Sequence, residues 1–456
     1  MALFHIKARR PDGRVVDLTY DNQTSALLWA HSGEPVAQIE PAKWGTATAF
    51  SREDPGRKSN IKVLKIALGL SCNYSCTYCS QRFVPHAADI AHREVEPFLA
   101  KLPTWFDPAG EDGEGKGIRV EFWGGEPFVY WRTLKPLAER LRAMMPEAAF
   151  VVITNGSLLD AEKNEWLDRL GFGVGLSHDG PGQATRGPDP LDDPEKAVAI
   201  HDLYARLHPQ GRISFNTMMH RDNQSRAAVQ AWFIERFGAD VRIGEGSYID
   251  PYDEGGLASS LRKDDHLPFR RRAFAELRAG AVANFSIAHQ KIGDFVDSIR
   301  KARPASSLGQ KCGMDKPGNI AVTLKGEVIT CQNVSAIAKA PNGQKHKIGT
   351  VDKLDEVKLD TARHWQTRPE CSNCPVLQLC KGSCMFLEGE LWEKSCDNSF
   401  SDNVPFFAAG IEFLTGAMPF YIEGPQRADR KWLFDRPPEI NVSSTVSGVA
   451  PVRLAV

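Results

Sequence analysis

Short apolar runs punctuate the first two thirds of the chain, at residues 61–68, 118–123, 150–153, 174–176, 213–218 and 241–243. Continuous runs of this length, rather than alternating ones, predict strands buried on both faces of a parallel sheet. Between them, residues 130–145, 161–170, 194–207 and 226–237 read as helices. Repeated βα units joined by right-handed crossovers build a parallel sheet, closed or partly closed into a barrel. The fold class is therefore α/β, and the count fits five or six units better than eight.

The flanks differ. Residues 1–60 carry β-like runs at 3–8, 15–19 and 35–39, broken by Asp-Gly, Ser-Gly and Pro, which predict a small β-rich extension. Residues 268–303 read as helical. After Cys396 a tail of about sixty residues holds one apolar helix, 405–414, and then a Pro-rich irregular end. This gives four segments: 1–60 an extension, 61–305 a barrel, 306–400 a cysteine-rich domain, and 401–456 a helix and tail.

Composition narrows the function. The 456 residues are 42% hydrophobic and 25% charged, ordinary for a globular protein. A formal net charge of −1 argues against nucleic acid as the main partner. No apolar run approaches the ~18–20 residues of a membrane helix, and the first residues lack the apolar core of a signal peptide. Both point to the cytoplasm, where thiols stay reduced. The ten cysteines then suggest metal rather than disulfides. Three fall at 72–79 and seven between 312 and 396.

Cys72, Cys76 and Cys79 follow directly on the first predicted barrel strand. Three thiolates on one turn leave the fourth iron of a 4Fe–4S cube open, so that a ligand can coordinate there. Zinc would want a fourth protein ligand, for which His86 is the obvious candidate. Spacing alone leaves both open. The end of a barrel strand, where such folds bind ligands, favours the cluster.

With aromatic Tyr78 before the last cysteine, this loop resembles the signature of the radical S-adenosylmethionine (SAM) superfamily. The resemblance implies a cluster whose open iron is chelated by SAM. It also implies reductive cleavage of SAM to a 5′-deoxyadenosyl radical, and Tyr78 against the adenine. Gly124, Gly125, Glu126 and Pro127 resemble the family's GGEP motif. There the glycines let backbone approach SAM, and carbonyls and carboxylate receive its ammonium; by themselves they read equally as a strand-ending turn. Thr154 and Asn155 match a T-N-G segment that helps hold SAM. Ser177 and Asp179 match an S-x-D-G-P segment facing its ribose and carboxylate. Arg186 stands nearer than the arginine that pairs with the SAM carboxylate in relatives. Asn216 matches a polar position on a later strand, or simply satisfies a strand end.

In the second region come Cys312, Cys331, then Cys371, Cys374, Cys380 and Cys384, and finally Cys396. A zinc ribbon is the plain alternative, but seven thiolates exceed one zinc. The spacing resembles the SPASM domain that follows a partial (β/α)6 TIM-like barrel in many radical SAM enzymes. This implies two auxiliary clusters, making three 4Fe–4S clusters in all. Cys371, Cys374, Cys380 and Cys396 would hold the distal one; Cys312, Cys331 and Cys384 the nearer. The nearer set lacks one ligand, which Asp315 or His346, water or thiol, or the substrate itself would supply.

SPASM proteins mostly modify peptides or proteins, by thioether or carbon crosslinks, excision, epimerisation or oxidation to formylglycine. The resemblance therefore implies a peptide or protein substrate and a low-potential donor, flavodoxin or ferredoxin. Sulfatase maturases carry an Asp base just after the cysteine equivalent to Cys331, where this chain has Gln332 and Asn333; an amide cannot accept that proton. The leading expectation is a ribosomal-peptide maturase, with sulfatase maturation second. A non-catalytic iron–sulfur carrier or binding protein is the alternative of another class, and it would not need the SAM-holding motifs. Residues 1–60 are too short and β-rich for a whole winged-helix leader-binding domain.

Overall fold

The computed structural model describes residues 2–45, 58–86, 92–111, 113–340, 343–358 and 363–434. Of the irregular end predicted after residue 414, residues 435–456 lie outside them, and 418–423 form a strand rather than irregular chain.

Strands β1 (Leu3–Arg9), β2 (Val15–Asp21) and β3 (Ala26–Trp29) form an antiparallel meander. On β1, Phe4, Ile6 and Ala8 point inward in strict alternation, the signature of a sheet with one wet face. The run predicted at 35–39 makes no strand; Pro35 forms only a single bridge to Leu28.

The barrel strands are β4 (Val63–Ala67), β5 (Arg119–Trp123), β6 (Ala149–Thr154), β7 (Phe172–Ser177), β8 (Ile213–Asn216) and β9 (Ile243–Glu245). They pair in sequence order, all parallel. Helices α1 (Val95–Lys101), α2 (Trp131–Met144), α3 (Ala161–Arg169), α4 (Pro194–Leu207) and α5 (Arg226–Phe237) connect them. Asp160, Asp193 and Ser225 cap α3, α4 and α5 by accepting from first-turn amides. Phe122, Phe150 and Phe172, from the three successive strands β5, β6 and β7, pack with ring centroids 5.5 Å apart. The six-unit partial barrel is as the apolar runs predicted.

The predicted helical stretch 268–303 divides in two. After α6 (Glu254–Ser259) come α7 (His266–Arg278) and α8 (Ser286–Arg300), separated by a turn that Gly280 enters at positive φ. The cysteine-rich region then rejoins the barrel. Its β10 (Asn319–Thr323) pairs in parallel with β4, and β11 (Glu327–Ile329) and β12 (Lys347–Thr350) extend the sheet to nine strands.

Short α9 (Pro369–Ser372) and α10 (Leu377–Cys380) precede α11 (Gly389–Thr415), a 27-residue helix. The helix expected at 405–414 is only its second half. Pro405 sits inside it, where burial of Val404, Phe406 and Phe407 outweighs the missing backbone hydrogen bond. Finally β13 (Met418–Glu423) pairs antiparallel with β1, so the first and last described strands share one sheet. Among the described residues no helix is long and apolar enough to cross a membrane.

Candidate active site

The loop after β4 is laced to the end of β5. Leu68 N donates to Trp123 O at 2.7 Å, Gly125 N to Gly69 O at 3.0 Å and Glu126 N to Ser71 O at 3.0 Å. A Cβ on Gly124 would stand 2.9 Å from Gly69 O, and one on Gly125 would stand 2.4 Å from the carbonyls of Leu70 and Ser71. The paired glycines thus admit the backbone of the cysteine loop itself, a reason the sequence did not disclose. Within the loop Cys79 N donates to Cys76 O, a tight turn. The amides of Tyr74 and Gln81 point at the sulfurs of Cys72 and Cys79 at 3.3 and 3.4 Å. Burial pushes the Cys76 thiol up to about 11, against the pull of Arg186. A thiolate there needs a cationic partner such as a metal. His86 Nδ1 lies 3.3 Å from Val84 O, two residues away.

Glu126 is 1% exposed. Its Oε1 accepts from Phe128 N at 3.1 Å and Thr154 Oγ1 at 2.7 Å, and its Oε2 from Asn155 N at 2.8 Å. Burial raises its pKa to about 7 despite these three donors. The carboxylate therefore clamps β5 to β6, with one of roughly four acceptor positions left over. Asn155 reaches back to Asn73 Oδ1 at 2.9 Å, tying the T-N-G turn to the cysteine loop. Pro127 opens the buried turn that leads into α2.

At the end of β7, Ser177 is half-buried opposite Asn216 on β8. Asp179 is fully buried. Its Oδ2 accepts from the Tyr78 hydroxyl, its Oδ1 accepts from Met218 N at 2.8 Å, and Arg186 Nε stands 2.9 Å away. Arg186 also lies over the Tyr78 ring at 5.6 Å and donates to Asn216 O at 3.5 Å. Burial pulls the Arg186 pKa down, but the Asp179 carboxylate outweighs it and the net shift is upward. Tyr78, Asp179, Arg186 and Asn216, named separately from sequence, are thus one connected group. The sequence reading missed two neighbours. His220 packs on Tyr78 at 5.4 Å, and His178 hydrogen-bonds Asp189 at 2.9 Å while stacking on Trp232. The Ser-His-Asp-Gly spelling was the available signal for His178.

No two of the ten cysteines form a disulfide. Cys371, Cys374, Cys380 and Cys396 line one pocket of about 370 Å³. Burial pushes Cys374 up to about 11 and Cys380 to about 12. Arg430 closes this pocket, donating to Cys396 Sγ at 3.3 Å and Asp397 at 2.7 Å. Asn22, from the turn after β2, donates to the carbonyls of Ser372 and Cys374 at 3.0 and 2.7 Å. Neither residue stands out in sequence, because each comes from a segment far from the cysteines it braces.

Cys331 and Cys384 line a larger pocket, about 940 Å³, together with Cys79 from the first loop. Burial pushes both thiols up to about 12; negative charge on Cys312 would push each further. Tyr252, unanticipated from sequence, hydrogen-bonds Cys384. Of the two candidate fourth ligands, Asp315 accepts from Gln310 N at 2.8 Å and pairs with His364 at 3.1 Å. His346 Nδ1 meets Thr330 Oγ1 at 2.6 Å, and its ring faces Phe386 in the larger pocket. Among the described residues no three His, Cys, Asp or Glu side chains close on a single-ion point. Four thiols around an open pocket suit a cube, whose sulfurs stand wider apart than those on one zinc.

No family model matches the chain. Radical SAM cyclopropyl synthase TigE of Paramaledivibacter caminithermalis is 23% identical over 373 residues, 76% of this chain and 72% of that protein. The cysteine-type anaerobic sulfatase-maturating enzyme of Clostridium perfringens is 22% identical over 344 residues, 69% of this chain and 85% of that one. Among solved structures, native anSMEcpe with bound AdoMet aligns over 78% of this chain and 98% of its own, at 18% identity and a TM-score of 0.54. With Cys72, Cys76 and Cys79 set on the loop after the first barrel strand, this similarity marks the chain as a radical SAM enzyme.

Proposed function

We propose that this enzyme installs a post-translational modification in a ribosomally made peptide, a thioether or carbon crosslink or a related oxidation. The observation that carries the reading is the 940 Å³ pocket. One wall is Cys79 with Phe83, Val84 and Pro85; the other is Cys331 and Cys384 with Val334, Phe386 and Leu387. A peptide side chain held there meets the SAM-site loop on one side and the auxiliary cysteines on the other. The mostly apolar walls suit a bulky apolar side chain and exclude water from it.

Cys72, Cys76 and Cys79 would hold the SAM-binding cluster. The four-thiol pocket would hold a second, and Cys312, Cys331 and Cys384 a third. When bound, cluster and SAM supply an adenosyl radical able to take hydrogen from an unactivated C–H bond. The chain's own part is positional. Glu126, Thr154 and Asn155 fix the strand ends around the loop, with the spare Glu126 acceptor open to the SAM ammonium. Asp179 would hold Tyr78 and Arg186 in place, with Tyr78 free to face the adenine. A flavodoxin or ferredoxin would deliver the electron.

Formylglycine formation is the second reading, favoured by the aligned sulfatase-maturating enzyme. Against it, Gln332 faces Lys65 and Asn333 faces Gln81, each at 3.5 Å, and neither amide is a base. The test is anaerobic reconstitution with iron and sulfide, then SAM, dithionite and peptides encoded beside the gene. Formation of 5′-deoxyadenosine with hydrogen loss from such a peptide supports the proposal. Turnover confined to a sulfatase-type Cys or Ser peptide would replace it with the second reading.

A further inference from the structure

The segment that leaves β9 crosses from the barrel to the cysteine-rich domain, and Asp250 lies on it. Ser383 Oγ donates to Asp250 Oδ1 at 2.7 Å and Ser395 Oγ at 2.6 Å, while Lys311 Nζ stands 3.5 Å from Oδ2. Each partner immediately precedes a cysteine: Lys311 precedes Cys312, Ser383 precedes Cys384 and Ser395 precedes Cys396. Cys312 and Cys384 belong to one ligand set, Cys396 to the other. A single barrel carboxylate therefore fixes the backbone beside three ligands of two sites. A carboxylate that merely needed partners would find them anywhere; here all three fall at ligand-adjacent positions. The same segment continues to Tyr252 at Cys384 and to Asp253, which faces Arg82 at 3.9 Å beside the SAM-site loop.

We propose that Asp250 is a positioning residue that couples the two C-terminal cysteine sets, so that the clusters they hold respond together to its charge. Hydrogen bonding and local charge set the potential of an iron–sulfur centre. Asp250 is a charged group whose hydrogen bonds reach both sites. The inference rests on the cluster assignment proposed above.

The test is potentiometry, followed by electron paramagnetic resonance, on the reconstituted full chain. Asp250→Asn keeps an acceptor for the two serines and removes one negative charge. Iron content should stay at the wild-type level while the midpoints of both auxiliary clusters move upward together, the Cys72/Cys76/Cys79 cluster staying in place. Movement of only one auxiliary midpoint, or of neither, overturns the proposal. If Asp250→Asn loads neither site, Ser395→Ala decides. Ser395 Oγ meets both Asp250 and Ser383 Oγ, so coupling requires that its loss move the midpoint of the Cys312/Cys331/Cys384 cluster as well. A change confined to the distal cluster overturns it. Wild-type protein that takes up zinc and no C-terminal iron would overturn the cluster assignment itself, a separate and recognisable failure.

Discussion

Arg186 Nε stands 2.9 Å from Asp179 Oδ1, and neither side chain is more than 10% exposed. An arginine expected to reach for a ligand carboxylate already holds one from its own chain. In a buried pair the loss of one member leaves the other charge without compensation, which costs more than the pair contributes. Asp179→Asn should destabilise the apo-protein by about 3–5 kcal/mol in urea denaturation. The double variant Asp179→Asn/Arg186→Met should recover much of that loss. Additive losses in the double variant would show that packing, not charge, is at stake.

Glu126 gives a pH dependence of defined sign. Its pKa rises from the ordinary carboxyl value to about 7, so the folded state holds a proton that the unfolded state releases. Its stabilisation is complete below the unfolded pKa near 4.5 and is lost as pH rises through about 7. The span corresponds to roughly 3 kcal/mol at most. Apo-protein stability should fall between pH 5 and 7, and Glu126→Gln should flatten that part of the curve. An unchanged slope in the variant would remove Glu126 as its source.

Arg430 lines the distal pocket. Its guanidinium donates to Cys396, and negative charge on Cys396 and Cys374 raises its own pKa although burial opposes this. Supporting contacts of this kind typically change metal affinity ~10–100-fold. Arg430→Met should speed iron release from the distal site to a chelator by that order, leaving the other two sites unaffected. Equal release from all three would point to general unfolding.

What the sequence made legible follows from what was local. The barrel strands announce themselves because burial on both faces demands unbroken apolar runs, and each candidate ligand cysteine is visible as a residue type. Non-local pairing leaves no such mark. Nothing in residues 319–323 says that β10 will sit beside β4, some 250 residues earlier, rather than in a separate domain. Asn22 at Cys374 and Asp250 at Ser383 and Ser395 are ordinary polar residues until the fold brings them in. Pro405 was read as a helix start because local propensity says so, and the buried residues around it overrule that. The Gly124-Gly125 pair was legible as a close approach, but toward the wrong partner.

That partner can be tested. The ideal Cβ of an alanine at 125 would lie 2.4 Å from two backbone carbonyl oxygens, those of Leu70 and Ser71. Backbone cannot rotate aside as a side chain can, so the cysteine loop must shift. Overpacking of this kind costs about 1–3 kcal/mol, and here the strain falls on residues directly before Cys72. Gly125→Ala should therefore fold yet lose the iron of the Cys72/Cys76/Cys79 site, about a third of the total, and with it SAM binding by calorimetry. The C-terminal sites should load normally. Gly124→Ala, whose Cβ crowds a single carbonyl, Gly69 O at 2.9 Å, and otherwise makes ordinary contact with the Tyr130 ring, should show the same defect more weakly. Had the glycines served only to admit SAM, Gly125→Ala would keep its full iron content and lose SAM affinity alone.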